Sequence, residues 1–172
     1  GTVWAWGNNT SGQLGDGTSG NNRTTPVQVK GPGGTGYLTD VVAVAGGGYH
    51  TVAVKSDGTV WAWGYNQYGQ LGDGTRTTRS TPVQVKGPGG FGSLTGVVAV
   101  KCGVDDYTVA LKSDGTVWAW GHNTYGQLGD GTSGFDKYRT TPVQVMGTGG
   151  VGYLTGVSAI GAGWAHTLAI VL

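Results

Sequence analysis

The string GTVWAWG occupies Gly1–Gly7, returns unchanged at Gly58–Gly64, and stands a third time at Gly115–Gly121. Six of the seven Trp of the chain lie in these copies, each of which starts 57 residues after the last. GQLGDGT at Gly12, Gly69 and Gly126 and TPVQV at Thr25, Thr81 and Thr141 follow nearly the same step. Side chains alternate across a strand, so Trp4 and Trp6 share one face while Val3 and Ala5 share the other. Neither face is polar. A strand of this kind needs cover on both sides, and six exposed indoles at roughly 150–250 Å² each exceed the roughly 300–600 Å² of a monomer's largest apolar patch. The expectation is therefore that successive near-copies stack and bury all six.

A fixed period of this length signals a repeat architecture. The units are 1–57, 58–114 and 115–172, together one module covering 1–172. In the first unit four segments have strand character, Thr2–Trp6, Pro26–Val29, Val41–Ala45 and Thr51–Lys55, with Gly, Asp, Asn and Pro punctuating them. Four strands without helical periodicity describe a propeller blade. The fold class is accordingly all-β: a β-propeller of four-stranded antiparallel blades, three blades per chain. Pro26, Pro82 and Pro142 each open a PVQV strand, and proline lacks the N–H that a central strand donates, which places this strand outermost. VVAVAGG and VSAIGAG carry small side chains and suit the crowded axis.

Composition narrows the function. Gly supplies 37 of 172 residues and charged residues only 11%, with a net charge of +1 and no like-charged run. Nucleic acid is not an expected partner, because phosphate binding needs clustered Lys and Arg. No apolar run reaches the roughly 20 residues of a membrane helix, so no membrane insertion is expected. The single cysteine, Cys102, aligns with Gly46 and Ala162 and reads as a small core residue rather than a nucleophile. GPGGTG at Gly31 and GPGGFG at Gly87 lead into strands rather than a helix N-terminus, so they read as linkers and not as phosphate cradles. Asp16, Asp73 and Asp130 in GDGT serve turns, and His50 and His166 precede Thr at matched positions with a structural role. No catalytic group, cofactor or metal ligand is assigned.

WG.N at Trp6, Trp63 and Trp120, the GQLG strings, the Pro-initiated strand, and HT at His50 and His166 together resemble the regulator of chromosome condensation repeat, over essentially the whole chain. The resemblance implies a propeller, in that family usually of seven blades. It embraces an exchange factor for a small nuclear GTPase, bacterial beta-lactamase inhibitors, and exported or surface proteins, which leans the expected location outside the cell. A basic tail and charged face are lacking here, so no exchange-factor residue is carried over.

Three repeats fall short of the four to eight blades of a ring. The first two strands match the end of a blade and the last two its beginning, so each terminus is expected to complete the other. The leading expectation is a homodimer closing a six-blade ring; a contact that fails to close gives a filament.

In a meander, alternate connections emerge on one face. The GGGYH turns and the long NNTSGQLGDGT connections share a rim, and irregularity among the units concentrates there: CGVDDYT in the second unit is one residue longer than GGGYHT and lacks the His. Loops on a rigid scaffold favour recognition. Asp105, Asp106, Tyr107, His122, Phe135 and Tyr138 are the candidate partner-binding residues. The expected function is a non-enzymatic scaffold for protein–protein interaction or self-assembly. The alternative is a lectin-like glycan binder using Tyr37, Tyr153, Tyr68 and Tyr125.

Overall fold

β-Branched and aromatic residues alternate with small ones between Gly-rich and Asp-rich breaks, and the chain forms twelve strands and no α-helix. The computed structural model describes every residue, Gly1–Leu172. In chain order the strands are β1 (Trp4–Gly7), β2 (Arg23–Gln28), β3 (Val41–Gly46), β4 (His50–Lys55), β5 (Val60–Gly64) and β6 (Arg79–Gln84). They continue with β7 (Val97–Gly103), β8 (Tyr107–Lys112), β9 (Val117–Gly121), β10 (Arg139–Gln144), β11 (Val157–Ala162) and β12 (Thr167–Val171). Each Gly-rich linker folds into a tight turn, at Pro32–Gly34, Pro88–Gly90 and Thr148–Gly150, whose central glycine is left-handed at φ +65°, +64° and +67°.

All pairings between strands are antiparallel and follow chain order: β1-β2, β3-β4-β5-β6, β7-β8-β9-β10 and β11-β12. Two complete blades thus stand between an outer half-blade and an inner half-blade, and the blade is out of phase with the sequence unit. Pro26, Pro82 and Pro142 lie in the edge strands β2, β6 and β10. The small-residue strands β3 and β7 form the opposite edges, and β7 packs on both β3 and β4 of the blade before it.

The core lies between sheets. Val52 and Val54 of β4 meet Val97 and Val100 of β7, and Trp120 closes the same cluster. Trp63 joins Val3, Val29, Leu38 and Ala53 between the first half-blade and the first blade. Trp63 and Trp120 are fully buried, and Trp61 and Trp118 are half-buried. Trp4 and Trp6, by contrast, are 53% and 62% exposed. The expectation that all six indoles are covered fails there because no sheet packs against the face of β1 that carries them.

One joint recurs at each blade boundary. Trp63 Nε1–H and Thr51 Oγ1–H both donate to the Gln13 carbonyl, at 2.9 and 2.8 Å. Trp120 Nε1–H and Thr108 Oγ1–H do the same to the Gln70 carbonyl, at 2.9 and 3.0 Å. Because the Thr108 hydroxyl proton is committed to Gln70, His50 must donate its Nε2–H to Thr108 Oγ1, 3.0 Å away. Its Nδ1 is left buried without a partner.

Burial pushes the His50 pKa down to about 4. An unfolded chain therefore takes up the proton near pH 6.5 while the folded one refuses it, so stability is complete above pH 6.5 and declines as pH falls toward 4. At about 1.4 kcal/mol per pKa unit, the loss by pH 4.5 is about 2–3 kcal/mol. Urea unfolding at pH 7 and 4.5 checks this: the wild type shows the drop, and His50→Gln loses less than half as much.

Candidate functional site

Each long connection between the third and fourth strands of a blade folds around an asparagine. Asn66 Oδ1 accepts the Leu71 N–H at 2.9 Å, and its Nδ2 donates to Asp73 Oδ1 and to the Thr75 carbonyl, both at 3.2 Å. Asp73 Oδ1 also accepts from Thr75 N–H and Oγ1–H, and its Oδ2 accepts from Arg79 at 3.2 Å. Asn9 with Asp16 and Arg23, and Asn123 with Asp130 and Arg139, repeat the clasp. Burial alone would raise the Asp130 pKa, but the hydrogen bonds from Thr132 and Arg139 outweigh it and the carboxyl sits below its usual range. Both oxygens of these carboxylates are committed to closing the loop, as the turn reading of GDGT expects. The motif thereby supplies a stiff platform on which the variable rim residues stand.

On that platform the extra residue of the second unit does specific work. Asp106 adopts φ +56°, a left-handed conformation that costs a non-glycine residue about 1–2 kcal/mol. The bend sends Asp105 and Asp106 different ways. The Asp105 carboxylate accepts from His122 Nδ1–H at 2.9 Å and from Gln127 Nε2–H at 3.2 Å. The Asp105 N–H reaches across to the Trp164 carbonyl of the inner half-blade at 3.0 Å. Asp106 turns inward: burial pushes its carboxyl pKa up, and its Oδ1 has no hydrogen-bond partner.

Tyr107 corrects the expectation made for it. The side chain is fully buried, pairs with Gly121 in the register that His50 takes with Gly64, and donates its hydroxyl to the His166 carbonyl at 2.5 Å. It stands in for His50 as a joint between blades and does not belong to the exposed rim.

The remaining candidates form two neighbouring groups. His122 lies under Tyr68 with ring centroids 4.4 Å apart, and the aromatic line runs on through Tyr65 to Tyr49 at successive separations of 6.4 Å. Tyr138 stacks beneath the Arg76 guanidinium, 4.7 Å from ring centroid to Cζ, and Arg76 is also tied to the Gln67 carbonyl beside Tyr68. Phe135, in the same loop as Tyr138, is 84% exposed. Sequence reasoning missed Tyr49, Tyr65, Arg76 and Trp164. The signal for two of them was present, since Tyr49 and Trp164 occupy the same turn of two units immediately before or near the matched His.

Thr124 Oγ1–H donates to His122 Nε2 at 2.6 Å, which completes a hydroxyl–imidazole–carboxylate chain with Asp105. That order activates a nucleophile in hydrolases. In the first unit, however, Thr10 donates the same bond to Asn8 Oδ1 at 2.8 Å. The threonine contact therefore closes the turn, and His122 receives it in place of Asn8.

Elsewhere the thiol of Cys102 is enclosed between blades, donates to the Ala45 carbonyl at 3.6 Å, and is pushed up to about 12 by burial. Tyr37 and Tyr153 are exposed on the linkers, with Lys30 Nζ 4.9 Å from the Tyr37 ring centre.

A family model described as "Regulator of chromosome condensation (RCC1) repeat" matches residues 1–54, 57–111 and 114–170. The ultraviolet-B receptor UVR8 of Arabidopsis thaliana is 32% identical over 170 residues, covering 99% of this chain and 35% of that protein. The probable E3 ubiquitin-protein ligase HERC4 of Homo sapiens is 33% identical over 171 residues, covering 98% of this chain and 14% of that protein. Among solved structures, yeast RCC1 (Prp20), crystallised with Kap60 bound, superposes with a TM-score of 0.73 at 26% identity, over 99% of this chain and 36% of that one. The chain thus spans about a third or less of the proteins it matches.

Proposed function

We propose a function from one premise: the chain belongs to the regulator of chromosome condensation (RCC1) repeat family. It is a protein-interaction scaffold whose partner protein seats on the rim of Asp105, His122, Tyr68 and Tyr65, with Phe135 and Tyr138 at its margin. The observation that carries this reading is the inserted Asp105–Asp106 step. A strained residue is kept in a repeat whose other copies do without it, and it delivers a carboxylate to an aromatic, histidine-bearing rim. Strain of this sort concentrates at functional sites. Yeast RCC1 (Prp20), similar in fold and sequence, has a protein, Kap60, bound to it. The chain acts by binding rather than by catalysis, with Thr124–His122–Asp105 a positioning network for the rim.

Photo-crosslinking tests the reading. A photoreactive residue placed at Phe135 is expected to give a discrete protein adduct in cells, one that is lost with Asp105→Ala. The same residue at Phe91, equally exposed on a linker, gives none. Adducts of equal yield from both positions, or none from Phe135, reject the rim as the binding face.

A second reading, glycan binding, is favoured by Tyr125 and Trp164, which are 64% and 60% exposed with ring centroids 6.0 Å apart. Glycan-array signal lost on Tyr125→Ala supports it, and an array without signal removes it.

A further inference from the structure

Every acidic side chain but one is held by the protein itself. All nine acids are aspartates, and eight accept a hydrogen bond from a neighbouring side chain, among them Asp73 from Arg79, Asp105 from His122 and Asp130 from Arg139. The exception is Asp106, on the turn between β7 and β8. It is partly exposed, and its Oδ1 has no partner. The ionisable groups acting on it are Asp105, which repels, and His122, which is already bound to Asp105. A half-covered carboxylate without a counter-ion is costly to keep, and the left-handed backbone that places it adds to the cost.

What surrounds Asp106 points to a cation. Tyr65 lies close enough for the Asp106 charge to push its hydroxyl pKa up. Tyr49, Tyr65 and Tyr68 stand in a row with successive rings at 67° and 70°, so that faces and edges alternate along it. Gln70 is fully buried beside Asp106; its Oε1 accepts the Tyr68 N–H at 3.0 Å, and its Nε2 has no partner. The counterpart in the next blade, Gln127, gives its Nε2–H to Asp105 at 3.2 Å. Asp106 is thus pinned by nothing and can meet an incoming donor without breaking a bond. The rim already shows which cation its phenols accept. The Arg76 guanidinium lies over the Tyr138 ring, 4.7 Å from its centre, and donates to the Tyr138 hydroxyl at 3.2 Å and to the Gln67 carbonyl. All of these residues belong to the two complete blades.

We propose that Asp106 anchors an arginine of the partner protein, whose guanidinium lies over Tyr65 and Tyr68 and donates to the Asp106 carboxylate. A guanidinium is flat enough to stack on a phenol while its fork of N–H groups reaches a carboxylate, a combination that a compact ammonium does not offer. The proposal rests on the reading of the rim as the partner-binding face and names the chemistry that this face selects.

NMR titration of the ¹⁵N-labelled chain with the peptide Ac-Gly-Arg-Gly-NH2 tests it. Shifts are expected at Asp106, Tyr65 and Tyr68. The lysine peptide binds more weakly, and the citrulline peptide, which keeps the shape and loses the charge, gives no shifts. Asp106→Asn weakens binding about tenfold or more, the loss of one charge-assisted hydrogen bond. Asparagine adopts the left-handed backbone readily, so the rest of the spectrum stays that of the wild type. Tyr65→Leu, which keeps bulk and loses the ring face, also weakens binding. The proposal is overturned by an arginine peptide that leaves these resonances unmoved, by equal shifts with citrulline, or by binding that Asp106→Asn leaves unchanged. If the photoreactive residue at Phe135 still captures a protein while the arginine peptide fails to bind, the arginine anchor falls and the rim reading stands.

Discussion

Trp120→Ala is expected to destabilise the chain by about 3–5 kcal/mol, the range for removing a fully buried Trp. Three losses combine: the indole leaves the largest core cluster, its N–H leaves the Gln70 carbonyl, and a cavity opens against Gly72. The same substitution at Trp4, in an identical heptapeptide but 53% exposed, is expected to cost under about 1 kcal/mol. Chemical denaturation followed by circular dichroism compares them directly. Trp4 is the fourth residue of the heptapeptide and Trp120 the sixth, and both lie in short strands of the same composition, so the contrast reads chiefly the packing between sheets.

Gly72→Ala has the next largest expected effect, a loss of about 2–5 kcal/mol. Gly72 has φ +68°, which costs an L-residue about 1–2 kcal/mol. A Cβ there would stand 2.8 Å from Trp120 Nε1 and 2.9 Å from Val85 Cγ1, so overpacking adds about 1–3 kcal/mol. Gly33→Ala supplies the comparison: φ is +65°, nothing lies within 4 Å, and only the backbone cost remains. Trimming the indole in the background of Gly72→Ala should recover part of the loss, since neighbouring changes are not additive.

Much of the framework was legible because its causes are local and repeated. Pro82 cannot donate to a ladder, so β6 had to be an edge; the small residues of VVAVAGG had to lie where strands crowd. The period of GTVWAWG announced stacked sheets, and two complete blades between half-blades are what stacked sheets with this phase produce. Less was legible where identical strings meet different neighbours. Trp6 and Trp63 have the same flanking residues, yet one is 62% exposed and the other fully buried, a difference made entirely by the sheet beside it.

The rim was legible as a place and not as an arrangement. CGVDDYT marked an insertion, but whether Asp105 or Asp106 faced outward depended on a left-handed bend that no local pattern demands. Tyr107 looked like rim decoration because its neighbours are. Its register opposite Gly121 instead puts the ring where His50 sits in the preceding blade. The Asp105–His122 pair joins residues from two strands' connecting loops, and only the finished blade brings them within 2.9 Å.

Hydrogen exchange of the indole N–H groups, resolved by ¹H–¹⁵N NMR, tests most directly the claim that buried indoles lock radial sheets to one another. Trp63 and Trp120, each bonded to a carbonyl of the preceding unit, are predicted to exchange far more slowly than Trp61 and Trp118, which bond only to nearby threonine hydroxyls, and than Trp164, which is 60% exposed. Exchange at Trp63 and Trp120 as fast as at Trp164 would contradict the account.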